Sequence, residues 1–282
     1  MKTILVTGAN GQLGQCFQKQ SKKFPNFRFL FCSSKELDIS SKKSITAFFQ
    51  VHKIDFCINC AAYTNVEQAE NEQEKAFLIN ADGAMNIAEA CKEFGATLFH
   101  FSTDYVFNGQ SQEPYKETDE VDPINVYGAS KIKGEEYIQE TLGEYFIFRT
   151  SWLYSEFGHN FFRTILRKAD EKAELNITTT QLGTPTNAND LADYVLCIIA
   201  AGSKKYGLYH FSNEGKATWY DFAVEILNYS KKMAEVTLNK TGFFKTLAER
   251  PEYSVLSKEK AIKNFGPIKD WKISLHQLID EN

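Results

Sequence analysis

Five short runs, apolar almost without a break and alternating with amphipathic stretches, set the strongest limit on how this chain folds. TILVT (3–7), FRFLFC (27–32), DFCIN (55–59), TLFHFS (97–102) and YFIFRT (145–150) read as buried strands. Residues 12–22, 41–52, 67–93 and 127–141 carry the helical spacing between them. Strands with no polar face, separated by helices, belong to a parallel sheet covered on both sides. The expected fold is therefore α/β, a Rossmann-type doubly wound parallel sheet. Gly95 and Gly143 stand where the last two of these helices should stop.

Beyond residue 150 come ELNIT (174–178), a helix at 189–201 closed by Gly202, and GLYHFS (207–212). The pattern then loosens into a helix from Thr218 and a tail rich in charge and aromatics, with no internal repeat or low-complexity linker. The expected division places a dinucleotide-binding domain at 1–150, with 180–212 returning to its sheet. A smaller C-terminal substrate-binding lobe takes 151–179 and 213–282. A length of 282 residues suits one domain with such a lobe.

Composition narrows the function classes. A formal net charge of −4 without a basic run argues against a nucleic-acid binder. The longest apolar stretch, YVLCIIAA at 194–201, falls far short of the ~20 residues of a membrane span. MKTILVTG is a strand and a turn without a signal-peptide layout, so the expected location is cytoplasmic. Cysteines 16, 32, 57, 60, 91 and 197 are scattered, and no disulfide is expected. Cys57 and Cys60 have the CxxC form but lie on a probable buried strand. An odd separation there turns the two thiols to opposite faces, which makes them core residues rather than a redox pair.

VTGANGQLGQ places Gly8, Gly11 and Gly14 between the first strand and the first helix. A loop of this kind lets a pyrophosphate approach the backbone, where its charge meets the helix N-terminus. The bland alternative is a merely structural turn. After the second strand, Ser33, Ser34 and Lys35 precede Glu36 and Asp38. Neutral and basic residues tolerate the 2′-phosphate of NADPH, whereas an acid first would favour NAD; NADH stays open. Ala61 and Ala62, after the third strand, are small enough for a cofactor to approach, or simply pack a crossover. Ser102, Thr103 and Asp104 close the fourth strand, on the sheet edge where ligands bind in such folds. Tyr127 precedes Lys131 by four residues, which puts both on one face of a helix. An ammonium at that spacing should lower the pKa of the phenol.

Taken together, TGANGQLG, INCAAYTNVEQAE, STDYVFNG, YKETDEVDPINVYGASKIKGE, FRTSWLY, GTPTNANDLAD, ATWYDFA and RPEYSVLS resemble the extended short-chain dehydrogenase/reductases, in that family's order and over nearly the whole chain. The nearest resemblance is to its reductases of dTDP-linked 4-keto-sugars. It implies hydride transfer from NADPH to the 4-keto carbon of a dTDP-linked 6-deoxyhexulose, giving dTDP-L-rhamnose for surface polysaccharide. By the same resemblance Tyr127 is the proton donor, and Lys131 is its electrostatic partner and ribose ligand. Thr103 bonds the keto oxygen, Asp104 lies beside the sugar, and Trp152 lines the sugar pocket. Gly11, Gln12 and Leu13, with Asp38, Ile39, Ala61, Ala62 and Tyr63, contact the dinucleotide. Asn160, Arg163 and Arg250 are either nucleotide contacts or ordinary surface polars. Two rivals share the motifs: another nucleotide-sugar reductase, and a non-catalytic relative like the regulatory subunit of methionine adenosyltransferase.

Some members dimerise through a metal held partly by a Glu just after the glycine loop. Here Gln15 and Cys16 stand there, and Asp190 is the only obvious remaining acid. Thiols are poor ligands for Mg2+, so no metal site is expected, and the chain is expected to be a monomer or homodimer.

Overall fold

The computed structural model describes residues 1–242 and 246–282. The first half runs β1 (Lys2–Thr7), α1 (Gln12–Ser21), β2 (Phe27–Cys32), α2 (Lys42–Val51), β3 (Phe56–Asn59), α3 (Val66–Ala69), α4 (Gln73–Phe77), α5 (Gly83–Phe94), β4 (Thr97–Thr103), α6 (Val126–Thr141) and β5 (Tyr145–Thr150). The second adds β6 (Leu153–Tyr154), α7 (Phe161–Asp170), β7 (Glu174–Thr178), β8 (Leu182–Gly183), β9 (Thr186–Asn187), α8 (Ala188–Ala200) and β10 (Gly207–His210). The last elements are β11 (Ala217–Thr218), α9 (Trp219–Tyr229), β12 (Thr237–Thr241), α10 (Glu259–Phe265) and α11 (Trp271–Asp280).

Six strands form one sheet in the order β10-β5-β4-β3-β1-β2, every neighbouring pair parallel. The doubly wound α/β expectation is met. Strand order reverses at β1, which has β2 on one side and β3 on the other, and ligands bind at the carboxyl ends beside such a switch.

Why the strands are apolar on both faces follows from their alternation. Ile4, Val6, Phe56, Ile58, Phe99, Phe101, Phe146 and Phe148 point to one side, where Leu13 and Phe17 of α1 and Leu191, Val195 and Leu196 of α8 cover them. Leu5, Cys57, Leu98 and Ile147 point to the other, against Ile45 and Phe49 of α2, Ile87 and Cys91 of α5, and Ile138 of α6. Cys57 thus joins one core while Cys60 packs against the opposite one, so the two thiols do not face each other. A third core, with Tyr154, Phe162, Phe222, Trp271 and Leu275, ties α7, α9 and α11 together. Within 180–212, α8 and β10 serve the sheet, while β8 pairs with β11 and β9 with β6. Among the described residues no helix is long and apolar enough to cross a membrane.

The helix expected over 67–93 is not continuous. It breaks into α3, α4, a π-helical turn at Leu78–Asp82, and α5. The wide turn sets Asn80 against Tyr63, with Oδ1 accepting from the Tyr63 N–H at 2.8 Å and Nδ2 donating to its carbonyl at 3.0 Å. Those bonds satisfy a chain segment leaving β3 that no helical ladder could serve. Gly95 ends α5 at φ 71°, a left-handed cap. Gly143 has no such role, because α6 ends at Leu142 in extended conformation.

Candidate active site

Four strand ends and two helix starts meet at the carboxyl edge of the sheet. At the first, Gly8 sits at φ +62°, and a Cβ there would lie 2.6 Å from the Ala61 amide nitrogen. A Cβ on Gly14 would lie 2.5 Å from the Gly8 carbonyl oxygen. The loop is therefore pressed between helix and crossover in a way only glycine allows. Gly11 caps α1 without a side chain, leaving the helix N-terminus open to an anion. Leu13 is buried in the core, so it has only its main chain to offer a ligand. The side-chain oxygen of Gln12 accepts from Asn160 Nδ2 at 3.2 Å.

The second strand ends in a self-contained carboxylate turn. Glu36 accepts from the Ser33 N–H at 2.7 Å and from its hydroxyl at 2.8 Å, which holds this exposed carboxyl below the usual range. Asp38 accepts from the N–H and hydroxyl of Ser40 at 3.0 and 2.7 Å. Ile39 is buried against Gly83, where a Cβ would come within 2.8 Å of it. After β3, Ala61 and Ala62 are half-buried and Tyr63 is buried.

At the end of β4, Thr103 donates to Asp104 Oδ1 at 3.1 Å and accepts from the Tyr105 N–H at 3.2 Å. Asp104 is 2% exposed, and burial pushes its carboxyl up to about 7 against the pull of the Ser254 and Thr103 hydroxyls. Asn125 opens α6 by accepting from the Gly128 N–H at 2.8 Å. A Cβ on Gly128 would sit 2.1 Å from the Tyr105 carbonyl oxygen, and one on Gly134 would sit 2.2 Å from that of Asn80. Two glycines on one helix thus bring it against the β4 exit and the π turn, and Tyr127 and Lys131 with it.

Tyr127 lies beside Thr103, whose hydroxyl favours the phenolate, yet burial dominates and pushes the phenol up to about 12. The expected lowering by Lys131 is corrected here. The Lys131 side chain turns under the sheet edge to His100 Nε2, 3.4 Å away, and burial lowers it to about 8. Burial and the Asp104 charge raise the phenol, and of the groups acting on it only the Thr103 hydroxyl lowers it.

Trp152 has φ 46°, unusual for a bulky residue, and stacks on Trp219 with centroids 3.6 Å apart and planes within 8°. Gly183 makes room for it, since a Cβ there would lie 2.7 Å from the indole. Trp219 Nε1 donates to Gln181 at 2.9 Å. Asn160 is a buried N-cap of α7, accepting from the Arg163 N–H at 3.0 Å. Arg250 pairs with Glu67 at 2.7 Å and lines a cleft of about 780 Å³ with Asn108, Gly109, Thr180 and Tyr253. Tyr127 and the glycine loop do not line that cleft.

The residues implied for a metal do not suit one. The Gln15 amide donates to the Asn10 carbonyl at 2.9 Å, and Cys16 is buried with its thiol pushed up to about 12. Asp190 accepts from Lys269 at 3.0 Å on one oxygen and from Asn213 at 2.9 Å and Ser274 on the other. The Asp190 oxygens are already engaged and the Cys16 thiol is soft and protonated, a poor donor set for a magnesium-like ion.

Sequence reading alone did not find Asn59, Asn80, His100, Gly183 or Trp219. The glycines at 128 and 134 within YGASKIKGE and the tryptophan in ATWYDFA were the available signals.

The family model described as RmlD substrate binding domain matches residues 1–282. Spore coat polysaccharide biosynthesis protein SpsK of Bacillus subtilis is 39% identical over 282 residues, covering 100% of this chain and 98% of that protein. The dTDP-4-dehydrorhamnose reductase of Escherichia coli K12 is 38% identical over 290 residues, covering 99% and 97%. Among solved structures, the dTDP-4-dehydrorhamnose reductase of Bacillus anthracis in complex with NADP superposes with TM-score 0.94 at 38% identity, covering 100% of both chains.

Proposed function

The chain belongs to the RmlD family of dTDP-4-dehydrorhamnose reductases, and from that membership we propose how its own residues carry the reaction. It is an oxidoreductase that reduces the 4-keto group of dTDP-4-dehydro-6-deoxy-L-mannose to give dTDP-L-rhamnose. Bound NADPH supplies the hydride that forms the new C4–H bond. The glycine cradle at Gly8 and Gly14 and the open N-terminus of α1 suit the pyrophosphate, and Gly11, Gln12 and Leu13 approach it by their main chains. Ala61, Ala62 and Tyr63 line the passage from β3, and Asp38 and Ile39 lie toward the adenosine.

As charge develops on O4 of the sugar, the Tyr127 hydroxyl gives it a proton and the Thr103 hydroxyl donates a hydrogen bond. The phenolate left on Tyr127 is reprotonated from solvent. The ammonium of Lys131 holds the nicotinamide ribose. Asp104 and Trp152 shape the sugar side, with residues 151–179 and 213–282 forming the substrate lobe. The reading extends to a cytoplasmic enzyme, a monomer or homodimer without a bridging metal.

The placement of the Thr103 and Tyr127 hydroxyls side by side at the carboxyl end of β4 carries this assignment. The test is NADPH oxidation coupled to dTDP-glucose through an upstream dehydratase and epimerase. Oxidation that needs the keto-sugar, and is lost in Tyr127→Phe, supports the assignment. Absence of turnover in the parent protein with NADPH and NADH would refute it and favour the non-catalytic relative.

A further inference from the structure

Lys131 is a cation buried to 2% exposure, and no described carboxylate pairs with it. Glu135, the acid one turn further along α6, gives both oxygens to Arg149 at 2.7–3.1 Å. The hydrogen-bond partner of the Lys131 side chain is an imidazole, His100 Nε2 at 3.4 Å. His100 Nδ1 lies 3.2 Å from Asn59 Nδ2, and Asn59 Oδ1 accepts from the Thr7 hydroxyl at 2.6 Å. All four residues are buried.

The row is a product of register. Thr7 is paired with Asn59 across β1 and β3, and Asn59 with His100 across β3 and β4. Alternation puts all three on the face that α6 covers, continuing the file of Leu5, Cys57 and Leu98. Three polar side chains in one buried row must satisfy one another.

Two arrangements matter here, because an ammonium on Lys131 can only donate whereas its neutral amine can also accept. A neutral imidazole carries one N–H. If Lys131 is an ammonium it donates to Nε2, and the ring proton sits on Nδ1. The Asn59 oxygen then faces His100, and its amide donates to the Thr7 hydroxyl. In the alternative, which is the orientation of the Asn59 amide in the structure, Thr7 donates to the Asn59 oxygen and the amide donates to Nδ1. The ring proton then sits on Nε2 and faces an uncharged Lys131 amine. A turn of the Asn59 amide interconverts the two. Burial and the neighbouring charge of Lys131 keep His100 from taking a second proton near neutrality.

We propose that Thr7, Asn59 and His100 form a positioning row that holds Lys131 at the site as an ammonium. His100 accepts from Nζ. With the Asn59 amide turned over from its orientation in the structure, its oxygen accepts from His100 Nδ1–H and its amide donates to Thr7, which keeps the imidazole in the matching tautomer. The proposal rests on the assignment of Lys131 to the cofactor ribose. The other groups that face Lys131 are the Cys60 thiol after β3, which burial keeps protonated, and Glu135 on its own helix, neutralised by Arg149. Tyr127 is one turn back on that helix, neutral below about 12.

The experiment follows kcat/KM and NADPH Kd across pH 6–10 in the full chain and in His100→Leu, His100→Gln and Thr7→Val. Removing the acceptor disfavours the charged lysine, so in His100→Leu the alkaline limb moves down by about one pH unit, a tenfold change. NADPH binding weakens about tenfold at pH 8 and less at pH 6. His100→Gln, which keeps an acceptor, restores the limb, and Thr7→Val moves it in the same direction by a smaller amount. A uniform loss of activity with the limb unmoved, or His100→Gln behaving as His100→Leu, overturns the proposal. Should His100→Leu fail to fold, an unchanged limb in Thr7→Val does the same. The Kd series needs no turnover, so it separates failure of this row from failure of the reductase assignment.

Discussion

The nucleotide side and the sugar side of the site are built by opposite means. On the nucleotide side the backbone does the shaping. Gly8 and Gly14 leave no room for a side chain, and α1, the loop and the β3 exit touch main chain to main chain. On the sugar side the shaping falls to large side chains held by one another. Trp152 keeps a left-handed backbone under the Trp219 ring, and Gly183 yields the space. Backbone contact forbids variation, whereas a stack of rings tolerates it at a graded cost. The first side should therefore fail all at once under substitution, and the second by degrees.

Chemistry sits at the seam between the two, and the largest effect is expected there. Tyr127→Phe keeps the ring and its edge contact with Tyr105, so folding and NADPH binding survive while kcat falls by roughly 10²–10⁴. Near-normal turnover of the keto-sugar by this variant would leave α6 as scaffold only. Next comes Gly8→Ala, which adds about 1–2 kcal/mol of left-handed strain to a direct clash with Ala61. The expected result is a lower melting temperature together with a loss of NADPH affinity of tenfold or more. A variant that melts and binds like the parent would show that the loop is not held closely.

Trp219→Ala probes the graded side. Loss of a stacked pair worth about 0.5–1.5 kcal/mol beyond burial should raise KM for the keto-sugar several-fold, with NADPH Kd unchanged. If NADPH binding weakened as much as KM rose, the contrast between the sides would be broken.

Asp104 sharpens the contrast through pH. Its folded pKa is raised, to about 7, above an unfolded value of about 3.9. The protonated carboxyl therefore favours the fold below pH ~4, and that contribution is lost as pH rises through about 7. Asp104→Asn should flatten this part of the stability profile, as read from urea midpoints at pH 4–8. Parallel profiles for parent and variant would mean that the carboxyl stays ionised throughout. The smallest effect concerns the cofactor. With Ser33, Ser34 and Lys35 after β2 and no arginine to grip a phosphate, kcat/KM for NADPH should exceed that for NADH by only a few-fold. A reversed ratio would point to Glu36, fixed on Ser33, as the group that reads the ribose.

Patterning alone was enough for the sheet strands, the glycine loop and the doubly wound class. Apolar runs and βα turns are local, and each residue's share of them is set by its immediate neighbours. The stretch 67–93 marks where that logic fails. Its helical spacing is real, yet the exit of β3 needed hydrogen bonds from Asn80, and a wide turn supplied them against local preference. Tyr127 and Lys131 were legible as a pair four apart. Their electrostatic relation was not, because helix spacing says nothing about which way a four-carbon side chain turns. The direction came from His100, 31 residues earlier, brought within 3.4 Å by the register of β4 against α6. Likewise Trp152 was visible as an aromatic after a strand, while its partner Trp219 and the space at Gly183 come from distant segments of the chain. Sequence by itself determined which residues are apolar, which turns demand glycine and which side chains carry chemistry. Tertiary structure alone decided which of them meet and which protons they hold, since burial and pairing across strands are properties of the assembled sheet.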